Sequence, residues 1–250
     1  RPDALKQING WASKNTDGRI PAILDKINPN ACIYLLNAIS FRGEWSTPFE
    51  KSNTGKDVFT DAWGREQEVQ MMNATYDGVV CEHEKFRMLS RSYGNGAFSM
   101  SILLPDEGVT NAEVIALLNS ESWKQLPENR NGYKIHLKLP RFVTSYDIEL
   151  NDVLRSLGVV SAFSSSDADF SKLSTTQIFL SRALQKARIE VDEEGTKAEV
   201  VTLGEGWVSS PGPRPEMQRM DFFVNRPFIY LISEFSTGAI YFIGEVNRIE

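Results

Sequence analysis

The segment Ile189-Glu-Val-Asp-Glu-Glu-Gly-Thr-Lys-Ala-Glu-Val-Val-Thr202 constrains the fold more than any other stretch of the chain. It opens as a strand and closes as something that need not be one. From Thr196 onward, the small or apolar Thr196, Ala198, Val200 and Thr202 alternate with the charged Lys197 and Glu199. That is the period-two signature of a half-buried strand. The segment then runs into Leu203-Gly-Glu-Gly-Trp-Val-Ser-Ser-Pro-Gly-Pro-Arg-Pro215, whose glycines and prolines mark an exposed irregular loop. A stretch written as both loop and latent strand points to a conformational switch. To enter a closed sheet, its inward residues must carry no charge, because an unpaired buried charge costs several kcal/mol. Thr196, Ala198, Val200 and Thr202 meet that condition, and Gly195 gives the backbone freedom at the pivot.

The rest of the chain reads as an α+β fold of helices and largely antiparallel strands. Residues 3–14 form an amphipathic helix with Leu5, Ile8 and Trp11 or Ala12 on one face. Cys32 to Phe41 is a nearly continuous apolar run, as expected of a central strand covered on both faces, with Asn37 buried and seeking hydrogen bonds. Residues 58–104 read as short β segments punctuated at Asp61–Gly64, Tyr76–Gly78 and Tyr93–Gly96. Asn111–Leu118 and Asp147–Leu157 read as helices, the second ended by Gly158. Ile178–Asp192 reads as a long strand, and Phe228–Phe235 with Ala239–Val246 as a closing hairpin.

Composition excludes several function classes. A net charge of −6 argues against a nucleic-acid partner, which calls for a basic face. No apolar run approaches the roughly 20 residues of a membrane span. With 250 residues the chain can bury one sizeable core, as one large domain or two small ones. Cys32 and Cys81 are too few for a disulfide framework and read as two thiols buried apart. The sequence lacks a Gly-x-Ser-x-Gly elbow, a Gly-x-Gly-x-x-Gly before a helix, a phosphate loop and a Cys-x-x-Cys pair. His83 and His136 lie far apart in sequence and show no recognised metal-ligand spacing with the cysteines; His136, in an alternating run, reads as structural. The carboxylate pairs Asp106-Glu107 and Glu193-Glu194 read as solvated turns, and the sequon at Asn73 carries little weight.

Glu193-Glu-Gly-Thr-Lys-Ala198 resembles the reactive-loop hinge of the serpins, protease inhibitors that insert a cleaved loop into a β-sheet. The likeness continues in family order. Ile8-Asn-Gly-Trp11, Leu36-Asn37-Ala38-Ile39-Ser-Phe41 with Gly43-Glu-Trp45, Val69-Gln-Met-Met72 and Leu103-Leu-Pro-Asp-Glu107 all match, as do His136-Leu-Lys-Leu-Pro140, Ala168-Asp-Phe-Ser171 and Arg226-Pro-Phe228. The resemblance implies that residues 1–250 are the carboxy-terminal part of a single serpin domain, with the reactive loop at about 193–223. The family's amino-terminal portion, with several helices and two strands of the main sheet, has no counterpart in these residues. A sheet edge and a core face are therefore expected to lie uncovered.

The resemblance further implies suicide inhibition of a serine, or alternatively a cysteine, protease, without a cofactor and without enzyme turnover. An extracellular, cell-surface or periplasmic setting suits that role. A non-inhibitory carrier or chaperone is the alternative within the family, and a hydrolase or binding module the alternative outside it. The implied hinge residues are Glu194, Gly195, Thr196, Ala198, Val200 and Thr202, and the implied sheet-opening residues are Asn37, Trp45 and Gln185. Glu199, Val200 and Val201 replace the usual alanine run, and Gln185 stands where many members have histidine. Counting from the hinge places the scissile bond at Ser209 or Val208, whereas counting back from Arg226-Pro227-Phe228 places it near Glu216. The hinge sets the inserted length, so the Val208-Ser209-Ser210 region is favoured, and its small or apolar residues imply an elastase- or chymotrypsin-like target.

Overall fold

Runs of β-branched and apolar residues bounded by glycine and asparagine turns dictate a strand-rich molecule. The computed structural model describes residues 2–195 and 217–249. In chain order, helix α1 (Pro2–Asn15) precedes strands β1 (Ile33–Ser40), β2 (Gly55–Thr60), β3 (Glu66–Glu82), β4 (Phe86–Tyr93) and β5 (Phe98–Pro105). Helices α2 (Asn111–Leu117) and α3 (Ser120–Gln125) follow, then β6 (Arg130–Pro140), β7 (Phe142–Glu149) and α4 (Asn151–Ser156). Strands β8 (Leu180–Val191), β9 (Arg219–Phe223), β10 (Phe228–Glu234) and β11 (Ile240–Val246) complete the fold. These residues divide into two compact units, 1–41 with 144–189 and 42–143 with 190–250.

In the first unit the three-stranded sheet has the order β1-β8-β7, and β1 runs parallel to β8 from Ile33↔Leu180 to Ser40↔Arg188. Leu5 and Ile8 of α1 pack with Ala12 on a cluster of Ile20, Ile23, Leu24 and Leu184, to which β1 contributes Tyr34, Leu36 and Ala38. Asn9 ties the helix to the chain after it: its Oδ1 accepts from the Ile23 and Leu24 amides at 2.9 and 3.0 Å, and its Nδ2 donates to the Leu24 carbonyl at 2.8 Å.

Of the two inward candidates on α1, Ala12 is buried and Trp11 is exposed. Four expectations fail in this unit. Among the described residues β1 is a terminal strand of its sheet, not a central one covered on both faces. Since Tyr34, Leu36 and Ala38 face the cluster, the alternation turns Leu35 (55% exposed) and Asn37 the other way, and Asn37 is exposed, not buried. Cys32, expected to be buried, is an exposed free thiol. Asp147–Glu149 continues β7 in place of starting a helix, and α4 begins only at Asn151. That side chain bridges to β8, accepting from the Ala183 amide at 2.8 Å and donating to the Ser181 carbonyl at 3.1 Å.

In the second unit the eight-stranded sheet runs β11-β10-β5-β4-β3-β6-β9, with β2 paired to β3. Cys81, Phe86, Met88, Leu103, Ile229 and Leu231 form a core closed by Val114 and Leu126. β3 passes straight through Tyr76–Gly78, where the sequence was read as a turn. Gly78 serves packing here: a Cβ at that position would lie 2.8 Å from Ile135 Cδ1 on the neighbouring strand. Likewise Arg219–Phe223, placed in the expected loop, is strand β9, which runs parallel to β6 and buries Phe222 completely.

Replacing Asn9 by alanine removes three hydrogen bonds that nothing else makes up. Chemical denaturation should show a loss of about 1–3 kcal/mol, whereas Asn15→Ala, whose amide reaches only the Trp11 carbonyl on the exposed face, should stay within about 0.5 kcal/mol. Equal effects would remove Asn9 from its assigned role.

Candidate functional site

Beyond Val191 the chain folds into a tight turn, Asp192–Gly195, closed by Gly195 N–H donating to the Asp192 carbonyl at 3.2 Å and Asp192 N–H donating to the Gly195 carbonyl at 3.3 Å. Asp192 Oδ1 caps it by accepting from the Glu194 amide at 2.9 Å. Three successive carbonyls of this turn are held by one short segment, 45–49. The Trp45 indole N–H donates to the Asp192 carbonyl at 2.9 Å, the Phe49 amide to that of Glu193 at 2.9 Å and the Trp45 amide to that of Glu194 at 3.1 Å. Trp45 itself is buried and stacks on Tyr93 with ring centroids 4.5 Å apart. The receptor segment is hydrogen-bonded to the end of β4: Ser46 N–H reaches the Ser92 carbonyl at 2.9 Å, and Gly94 N–H reaches that of Glu44 at 2.7 Å.

Gly195 lies just past these held carbonyls with φ +98°, a region that favours glycine. A Cβ there would strike the Gly43 carbonyl and sit 2.5 Å from the Trp45 nitrogen and 2.7 Å from Glu44 Cα. Only glycine fits at this position.

Glu193, read from the sequence as part of a solvated turn, is 2% exposed. The reason is a partner 52 residues away: Arg141 grips both carboxylate oxygens, with Nε at 2.9 Å from each and Nη2 at 2.6 Å from Oε1. The Thr54 hydroxyl donates to the same carboxylate. Burial works against ionisation of Glu193, yet the Arg141 and Thr54 hydrogen bonds overcome it and hold the carboxyl below its ordinary value. Asp192 moves the other way, pushed up first by burial and then by the carboxylates of Glu194, Glu193 and Glu190. Glu194, on the outer side of the turn, pairs with the exposed Lys51.

Of the sequence-selected residues, Trp45, Glu194 and Gly195 therefore come together in this turn. Asn37 and Gln185 are register partners across the β1–β8 ladder. Thr196, Ala198, Val200, Thr202, Val208, Ser209 and Ser210 lie outside the described residues. Sequence reasoning missed Arg141, Thr54, Phe49 and Arg91. For Arg91 a signal existed, because alternation along β4 puts it on the same face as the buried Leu89 and Tyr93. His136 lies on β6 with Nδ1 3.5 Å from Asp221 Oδ1 and its ring edge-on to Phe223, a pairing of neighbouring strands.

Residues 1–249 match the family described as Serpin (serine protease inhibitor). Human leukocyte elastase inhibitor is 33% identical over 257 residues, covering 98% of this chain and 66% of that protein. The native structure of tengpin, a thermophilic serpin, superposes with a TM-score of 0.85 at 34% identity, over 100% of this chain and 64% of that one. Human thyroxine-binding globulin, solved in complex with thyroxine, gives a TM-score of 0.85 at 26% identity, over 99% and 64% of the two chains. The chain spans 62 to 66% of the length of the curated relatives compared.

The Arg141–Glu193 pair sets a pH signature. A carboxyl held below its ordinary value stabilises the fold above the ordinary Glu pKa of about 4.3, and that stabilisation fades as pH falls through the lowered native value. Glu193→Gln should therefore cost about 2–4 kcal/mol at pH 7, with the gap to the parent constant above about pH 5 and closing at lower pH. Denaturation midpoints across pH 2.5–7 would reveal a pH-independent gap if the ion pair is not its source.

Proposed function

The chain belongs to the serpin family, and from that premise we propose that the whole protein inhibits a serine protease, with cysteine proteases as a second target class, by suicide. Residues 1–250 are then the carboxy-terminal part of one serpin domain. The target's nucleophile attacks the loop and forms an acyl-enzyme. Before water releases it, the segment from Thr196 onward enters the sheet between β1 and β8.

One observation carries this reading: the turn Asp192–Gly195 is fixed by its three carbonyls, and the residues directly beyond it alternate with an uncharged inward set. The stem is anchored and the chain past the glycine is composed to become a strand. The sheet supports the same mechanism. β1 and β8 pair directly and in parallel. A segment that reverses at the turn after β8 runs antiparallel to β8, and so also antiparallel to β1. One parallel edge is exchanged for two antiparallel ones, which are slightly more stable per residue and add a full ladder of hydrogen bonds. No cofactor takes part, and the protein turns nothing over.

The Val208-Ser209-Ser210 region, with its small and apolar residues, fits an elastase- or chymotrypsin-like target, and the likeness to leukocyte elastase inhibitor favours the former. The likeness to thyroxine-binding globulin supports a second reading, a carrier on the same fold.

Incubating the full-length protein with elastase, chymotrypsin, trypsin and a papain-like protease separates the readings. The inhibitor should give a denaturation-resistant complex of higher mass with an elastase- or chymotrypsin-like enzyme and release a peptide that begins at residues 209–211. Loop cleavage without a complex supports the carrier, and turnover of small esters supports a hydrolase. Thr196→Arg puts a charge on the inward set, so that variant should keep its native melting temperature but be cleaved as a substrate. Unchanged inhibition by it would sink the insertion mechanism.

A further inference from the structure

Arg91 is the buried cation of the second unit that the proposed mechanism leaves unexplained. It is 7% exposed on β4, and its guanidinium carbon lies 4.4 Å from the ring centre of Phe49, 5.0 Å from Tyr76 and 5.4 Å from Trp45. Nη2 donates to the Thr47 carbonyl, and Nε is buried without a hydrogen-bond partner among the described residues. For stability alone this is a poor choice. A buried guanidinium brings several donors out of water, and an apolar residue of similar volume commonly does as well or better.

The charge instead touches the segment that holds the carbonyls of the hinge turn. Trp45, Thr47 and Phe49 belong to the five-residue receptor segment, and the amides of Trp45 and Phe49 are the donors that hold the Glu194 and Glu193 carbonyls. Arg91 fixes that segment in two ways: it draws in the Thr47 carbonyl and attracts the faces of two flanking aromatic rings. With its backbone held from beneath, the segment keeps both amides aimed at the turn.

We propose that Arg91 is a positioning residue for the hinge anchor: acting through Trp45, Thr47 and Phe49, it sets how firmly residues 45–49 hold the turn Asp192–Gly195, and through that anchor how cleanly the loop pivots into the sheet. The last step rests on the inhibitor reading, and the first does not.

The two are tested apart in the full-length protein. Hydrogen exchange of individual amides should show Trp45 and Phe49 losing about ten-fold in protection in Arg91→Met, the scale of one lost charge-assisted hydrogen bond. Arg91→Lys should recover much of it. Amides of the β3–β6 ladder, such as Leu137, should be unchanged in both variants, and the melting temperature of Arg91→Met should be equal to or above that of the parent. Unchanged protection at Trp45 and Phe49, or an equal loss across the β3–β6 ladder, would overturn the assignment. If exchange behaves as expected and the protein inhibits, Arg91→Met should also raise the number of inhibitor molecules consumed per protease several-fold. An unchanged ratio would confine Arg91 to the anchor and overturn its part in the pivot, and absence of any inhibition by the parent would count against the inhibitor reading alone.

Discussion

Everything at the candidate site depends on taking the Glu193 carboxylate out of water. A buried carboxylate is unfavourable unless it is fully bonded, and Arg141 and Thr54 supply the bonds. Once Glu193 is fixed, the backbone on either side of it has little freedom. The carbonyls of residues 192–194 then present themselves to Trp45 and Phe49 in one geometry, and Gly195 falls where only a glycine fits. The exposed pair between Lys51 and Glu194 contributes little by comparison, since both groups are well solvated.

The anchor is a long-range construction. Residue 193 is joined to residues 49, 54 and 141, and Trp45 to residues 93, 192 and 194. None of these separations follows a helical or strand period, which explains why the ion pair was invisible in the sequence while the strand after it was not. Periodicity reports the face a residue occupies, and only the fold reports who stands opposite. Glu193 beside Glu194 looks like a solvated turn until Arg141 is brought across. Asn37 shows the converse failure: an apolar run reads as doubly covered, although among the described residues only the β1 face with Tyr34, Leu36 and Ala38 meets a core. Gly78 is a third case, in which a glycine beside an aspartate looks like a turn but makes room for Ile135.

What the sequence did display were features written in local composition. The amphipathic α1, the long strand β8 and the β10–β11 hairpin needed only alternation and bounding turn residues to be seen. Trp45, Glu194 and Gly195 were legible because the hinge resemblance rests on a contiguous string. The supporting residues Arg141, Thr54 and Phe49 are scattered singly, and each is an ordinary residue for its element when taken alone.

The β1–β8 ladder joins eight residues of β1 to their partners, and Asn37↔Gln185 lies past its middle. At about 3.3 Å per residue, such a ladder is on the order of 26 Å long. On the proposed mechanism that length is a distance of travel. Whatever is covalently attached to the leading end of an incoming strand is carried the length of the ladder, while the stem at Asp192–Gly195 stays in place. If the proposal holds, the length of this ladder acts as a ruler for how far a captured enzyme is displaced.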